Sequence, residues 1–265
     1  MFIHNFNPIL FDLGVIEIRW YSIAYIFGIL IGWWLAKKII KTKIASNNIV
    51  FDIKKFDDLI SYIIIAIILG GRLGYIFFYN FNYYLNNPLD VFKIWEGGMS
   101  FHGALIGIII ATYIFARKLN LNPFFFLDVI SCVAPIGLFF GRVANFFNSE
   151  LYGHETNLPW SVIFPLIDNV PRHPSQIYEA LLEGVFLFVV LMPIIFSKKI
   201  KTGICSGLFL ILYGSVRIIA EQFRVPDIQV GYLYDLFSMG SILSFAMIIF
   251  GLLIIVKIKT NEAYR

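Results

Sequence analysis

The sequence predicts an all-α integral membrane protein with seven transmembrane helices, and three observations predict it. Hydrophobic residues make up 59% of the 265 and charged residues only 14%, against roughly 25% charge in an ordinary soluble domain, and the mean hydropathy is +0.79. The 28 Phe and 14 Tyr are more than one water-soluble core of this size hides, whereas a bilayer accepts apolar side chains on the outside of a helical bundle. Apolar segments recur near residues 20–36, 59–79, 101–116, 124–140, 177–196, 205–222 and 236–256, each close to the length that crosses the hydrocarbon. The chain is therefore expected to be a single membrane domain over residues 1–265, with no basic region before the first apolar run to suggest a cleavable signal peptide.

The connections set the orientation. An odd number of crossings puts the termini on opposite sides, and 14 of the 21 basic residues then share one side: Lys37, Lys38, Lys41, Lys43, Lys54, Lys55, Arg117, Lys118, Lys198, Lys199, Lys201, Lys257, Lys259 and Arg265. That side is cytoplasmic by the positive-inside rule, so the N-terminus faces out and the C-terminus in. The other face carries Arg19, Lys93, Arg142, Arg172 and Arg224, on longer loops rich in Asn, Pro, Gly, His and Trp, the kind that carries function. The longest, residues 141–176, holds Pro159, Trp160, Pro165, Pro171 and Pro174 and reads as a small outer-face cap. Five glycine pairs, Gly28/Gly32, Gly70/Gly74, Gly103/Gly107, Gly137/Gly141 and Gly203/Gly207, have the spacing that lets membrane helices approach closely. The two cysteines, Cys132 and Cys205, fall in apolar runs without a CxxC and read as buried thiols.

Arg72 and Arg217 remain inside the apolar segments, where a charge costs about 2.5–3.5 kcal/mol on insertion scales. Tyr213, Arg217, Glu221 and Arg224 share one helical face. An intrahelical Arg217–Glu221 pair is the plain reading; depth favours a site. Arg217 lies about 8 Å from the outer end of the sixth helix at 1.5 Å per residue, in the layer that also holds Tyr25, Arg72, His102 at the start of the third helix, and Arg142 and Asn145 after the end of the fourth. Cations gathered at one depth suit an anionic head group, and the planar fork of Arg grips phosphate in two places.

Three stretches are more specific. Residues 96–107 read EGGMSFHGALIG, residues 141–153 read GRVANFFNSELYG, which packs Arg142, Asn145, Asn148, Glu150 and Tyr152 beside the membrane, and residues 172–179 read RHPSQIYE. In the last, Pro174 and Ser175 fit a helix start, and Arg172 and His173 are lesser candidates. Together with YGSVRIIAEQFRVPD at 213–227, they give the chain its resemblance, over nearly its whole length, to the prolipoprotein diacylglyceryl transferase family. Gly141 to Gly153 meets the pattern GRxxNFxNxExxG in full, while Ala104, Ala144, Ser149 and His154 stand where the family often has other residues.

The resemblance implies an enzyme of lipoprotein biosynthesis in the bacterial inner membrane, active toward the outer side. It would transfer the diacylglyceryl group of phosphatidylglycerol to the thiol of the lipobox cysteine in a prolipoprotein signal peptide and release glycerol phosphate. Arg142 and Arg217 would hold the phosphate. His102 suits a proton acceptor by its unperturbed pKa of about 6.5; binding the lipid glycerol or orienting an Arg are its other readings. The resemblance carries Tyr25, Asn145, Glu150, Gly153, Tyr213 and Glu221 to substrate positioning. No metal and no cofactor is expected, and no nucleic acid, because no basic patch remains once the loops are assigned. The alternative is a transporter or channel for an anionic solute, which requires a polar path to the cytoplasm. A zinc protease is excluded: after His154 and Glu155, residue 158 is Leu, so HExxH is missing.

Overall fold

The computed structural model describes residues 1–12, 14, 17–47, 51–197, 200–226, 232–233 and 237–260. Among them are seven helices long and apolar enough to cross a membrane. In order these are α1 (Trp20–Asn47), α2 (Lys55–Tyr79), then after the short α3 (Phe81–Asn86) α4 (Phe101–Lys118), α5 (Pro123–Phe147), α6 (Ser175–Phe196), α7 (Ile204–Glu221) and α8 (Met239–Thr260). Half or more of the apolar window of each span is left exposed by the bundle, as expected of surfaces that face lipid tails. The seven expected segments are all present, but their ends differ. Helix α1 continues through Lys37, Lys38, Lys41 and Lys43, and α5 runs on through Arg142 and Asn145. Both residues thus stand on the last turns of a helix, not after it: hydropathy drops at the first charge, while the backbone hydrogen bonds continue. Lys198, Lys199, Asp227 and Arg265 lie outside the described residues.

Helix α5 sits centrally, touching α1, α4, α6 and α7, while α2 packs on α4 and α8 on α7. Its start is built by Asn122, whose side chain accepts from the amide of Phe124 at 3.0 Å, followed by Pro123 at the first helical position. Phe126, Val129 and Cys132 of α5 meet Leu187 and Leu191 of α6, Phe209 and Tyr213 of α7 and Ile39 and Ile40 of α1 in one buried core. Both cysteines are buried there. Asp128, also buried, accepts from the amides of Gly203 and Ser206 and from the Ser206 hydroxyl at 2.6–2.8 Å, which satisfies the first donors of α7.

The glycine pairs resolve into different roles. Gly70 and Gly74 of α2 lie against Gly103 and Gly107 of α4: a Cβ on Gly103 would collide with the Gly70 carbonyl oxygen and lie 2.6 Å from the Gly74 Cα. Gly28 of α1 faces Gly137 of α5, and Gly207 faces Gly251 and Ile255 of α8. Gly203 precedes α7 at φ +99°, a left-handed turn that favours glycine, and a Cβ there would also meet the side chains of Ile258 of α8 and Phe124 of α5.

One end of the bundle carries β-structure. Strand β1 (Phe2–Ile3) pairs parallel with β4 (Val162–Ile163), which pairs antiparallel with β5 (Pro171–Arg172). Strands β2 (Ile9–Asp12) and β3 (Glu17–Arg19) form a hairpin leading into α1, and β6 (Tyr232–Leu233) pairs with β7 (Phe237–Ser238) before α8. The segment between α5 and α6 is held from within by Arg172, whose Nη2 is 2.6 Å from Asp168 Oδ2 and whose guanidinium lies over the Tyr152 ring at 5.0 Å.

Two outcomes test this packing. Gly103→Leu should destabilise the protein by about 3 kcal/mol, because α2 must move as backbone, whereas Gly137→Ala, whose Cβ meets nothing within 4 Å, should melt within a few degrees of wild type in detergent. The Arg172 guanidinium holds the Asp168 carboxyl below the usual carboxylate range. Its stabilisation is therefore present above the unfolded value of about 3.9 and lost as pH falls through the lower folded value. The melting difference between wild type and Asp168→Asn should be full at pH 7 and close only well below pH 4.

Candidate functional site

Near the strand-bearing end, three helices bring charge into the apolar interior. Glu179 and Glu183 are one turn apart on α6, where Ala180–Phe186 adopts the wider π-helical winding, a local device frequent at functional sites. Glu179 is 0% exposed, and three arginines surround it: Arg142 Nε at 2.9 Å, Arg217 Nη1 at 2.9 Å and Arg224 Nη1 at 3.5 Å. Glu183 takes a hydrogen bond from Arg142 Nε at 3.0 Å and another from Arg217 Nη1 at 3.1 Å. Arg217 Nη2 reaches Glu221 Oε2 at 2.7 Å one turn along α7, so the intrahelical pair read from the sequence exists inside a larger network. Three arginines and three glutamates balance, which makes the cluster tolerable in apolar surroundings where a lone charge is not.

Close approach of α6 to α5 is what lets the carboxylates reach Arg142. A Cβ on Gly184 lies 2.6 Å from the Phe139 Cβ, so glycine is needed beside Glu183. The contacts of Arg142 use Nε and Nη2 and those of Arg217 use both terminal nitrogens. Among the described residues Arg142 Nη1 and Arg217 Nε make none of these carboxylate contacts.

A second polar group adjoins the first. Asn145, one turn beyond Arg142, donates to Tyr21 Oη at 2.6 Å and to Glu150 Oε2 at 3.1 Å, and Asn148 donates to Glu150 Oε1 at 3.3 Å. The Glu150 carbonyl accepts from Gln176 Nε2 at 2.6 Å, and Ser175 Oγ donates to the Leu151 carbonyl at 2.8 Å, tying the chain after α5 to the start of α6. Tyr25 stacks on Tyr21 at 5.4 Å between centroids and is 56% exposed, placing it at the outer edge of this patch. Tyr213 is buried and stacks on Phe101 at 4.6 Å. His102, next along α4, is 8% exposed, and neither ring nitrogen has a partner among the described residues. A buried imidazole left unpaired is costly.

The structure brings together Arg142, Arg217, Glu221, Tyr213, His102, Asn145, Glu150 and Tyr25, and separates others. Arg72 takes no part. Its guanidinium donates to the carbonyls of Asp90, Val91, Lys93, Gly97 and Gly98 at 2.5–3.4 Å, so this arginine, placed by the sequence in the same layer, pins residues 90–98 to α2. Gly153 is tightly packed. Its amide donates to the His173 carbonyl at 3.0 Å, and a Cβ there meets the carbonyls of His173 and Phe223 at 2.5 Å, so it stitches the inter-helix segment to the chain after α7. Arg172 and His173 also lie in that segment: Arg172 is bound to Asp168, and His173 Nδ1 is 3.2 Å from Tyr178 Oη.

Glu179, Glu183 and Tyr21 were not singled out from the sequence. The available signal was two acids four residues apart in an apolar run, a like-charge pair that requires cations from other helices. Among the described residues no group of His, Cys, Asp and Glu is arranged to hold a metal ion.

The family model described as prolipoprotein diacylglyceryl transferase matches residues 8–257. Similar chains named phosphatidylglycerol–prolipoprotein diacylglyceryl transferase include one from Rickettsia bellii (strain OSU 85-389), 48% identical, with 97% of each chain covered. Another, from Rickettsia typhi, is 48% identical over 98% of this chain and 100% of its own, and one from Rickettsia felis is 49% identical over 93% of this chain and 95% of its own.

Because each carboxylate removed leaves buried guanidinium charge, Glu179→Gln should cost about 3–5 kcal/mol. Glu221→Gln, which frees one arginine contact instead of three, should cost clearly less. Thermal unfolding of the two variants in one detergent compares them, and equal losses would mean that the cluster is not organised around Glu179.

Proposed function

Since this chain belongs to the prolipoprotein diacylglyceryl transferase family, we propose that it transfers the diacylglyceryl group of phosphatidylglycerol to the lipobox cysteine of a prolipoprotein, the first step of lipoprotein maturation. The full-length likeness to transferases of that name carries the reaction, and the arginine–glutamate cluster carries the residue roles. The transporter reading is not favoured.

The lipid enters sideways with its tails in the membrane, and its phosphate takes the donors Arg142 Nη1 and Arg217 Nε. The substrate thiol gives up its proton, its sulfur forms a bond to the diacylglyceryl carbon next to the phosphate, and the C–O bond breaks with its electron pair leaving on glycerol phosphate. Charge grows on that leaving group, and arginines already held by Glu179, Glu183 and Glu221 stabilise it without reorganising. The proton acceptor in this reading is His102, whose buried and unpartnered ring supports the assignment; a thiol of pKa about 8.5 needs only modest help. Tyr25, Tyr21, Asn145 and Glu150 position the head group beside the arginines, Tyr213 supports the wall under His102, and Gly153 keeps the inter-helix segment seated. The whole chain forms one membrane domain of the bacterial inner membrane, and residues 141–176 contribute its outer cap. The strand-bearing end faces outward and the lysine-rich end the cytoplasm, by the distribution of basic residues.

With phosphatidylglycerol and a lipobox peptide in detergent, wild type should release glycerol phosphate, and a peptide with Cys replaced by Ser should give none. Arg142→Ala and Arg217→Ala should each lose at least about 100-fold in rate. Release that persists in both variants would remove these arginines from the site, and release without the thiol would remove the transferase reading.

A further inference from the structure

At the end of the bundle opposite the ionic cluster, a cavity of about 390 Å³ opens between α2 and α4, lined by Lys55, Asp58, Ser61, Tyr62, Phe115, Lys118 and Leu119. Its size lies within the range of small-molecule sites. We infer that it is a second lipid site, which takes a lipid with a singly charged phosphodiester head group and plays no part in the transfer chemistry.

Charge and shape both point there. Two lysines against one aspartate leave the lining one positive charge in excess, which one phosphodiester cancels. Lys118 is pre-set: its Nζ donates to Tyr62 Oη at 3.0 Å and lies 5.2 Å over the Tyr62 ring. Tyr62 in turn meets the buried Phe115 edge-on at 5.9 Å, so the wall that carries the cation is fixed by packing. Ser61 adds a hydroxyl, and Asp58 restricts the site to one anion by opposing a second. Deeper along the same two helices, Ile65, Ile68, Ile110 and Ile114 are exposed, an apolar surface on which acyl tails continue from a head group held at the lysines. Basic pockets between membrane helices recognise anionic head groups in this way.

Native mass spectrometry of the full chain in detergent tests it, with phosphatidylglycerol, phosphatidylcholine and soluble glycerol 3-phosphate as probes. Wild type should retain one more phosphatidylglycerol than the Lys55→Gln/Lys118→Gln pair, whose affinity at this site should fall roughly 30-fold, about fivefold for each lysine alone. The Lys55→Arg/Lys118→Arg pair should retain the lipid, and phosphatidylcholine should not occupy the site. Transfer activity of the Gln pair should equal wild type, so a failed transferase assay and a failed lipid site are separate results. If the Gln pair melts early, the single variants are read instead. Equal retention by wild type and Gln variants would overturn the site, and displacement of the lipid by glycerol 3-phosphate would overturn its assignment to a lipid.

Discussion

Charge inside an apolar bundle must be cancelled where it stands, since no water is present to screen it. Glu179 concentrates that constraint: a carboxylate with no exposure, approached by arginines from α5, from α7 and from the chain after α7. Several other features of the bundle follow from letting those groups meet. Gly184 allows α6 to close on α5, the π-helical turn carries Glu183 beside Glu179, and Gly240 at the start of α8 lies against Glu221, where a Cβ comes within 3.2 Å of its Oε1. A cluster that balances in charge is stable as a unit and fragile to the loss of any one member.

The two arginines buried in the membrane segments show how the choice of acceptor decides a role. Arg72 spends its donors on neutral carbonyls of residues 90–98, which satisfies hydrogen bonding and ties a connection to α2. Arg217 spends its terminal nitrogens on carboxylates, which cancels charge and fixes the guanidinium in a network shared with Arg142. The first arrangement is a clamp on the fold; the second is a charge-balanced network. Close glycine packing of α2 on α4 holds both Arg72 and the start of α4, where His102 stands, in place.

Such a network suits a reaction in which the substrates bring the reactive atoms. In the proposed reaction the nucleophile is a thiol on the peptide and the electrophile a carbon of the lipid, which would leave the protein to hold a phosphate, accept a proton and exclude alternatives. Preorganised arginines and an unpartnered buried imidazole are what that division of labour asks for.

The residues of the chain by themselves determined that it forms seven helices long and apolar enough to cross a membrane, because an apolar run of about 20 residues is a local property that no distant contact alters. They also marked His102, Arg142, Asn145, Glu150, Arg217 and Glu221, whose spacing within short stretches carries the family's pattern. Helix ends were less legible: α1 and α5 continue past the first charged side chain, because the backbone ladder does not depend on side-chain polarity. Only the tertiary structure separated Arg72 from Arg217, two cations equally costly in sequence, and only it showed the close packing around Gly153 and the left-handed turn at Gly203. It alone revealed Glu179 and Glu183 as the centre of the cluster. Glu183 finds its partners 34 and 41 residues away along the chain, and the sign and geometry of a buried charge network exist only once three helices have brought those residues to one depth.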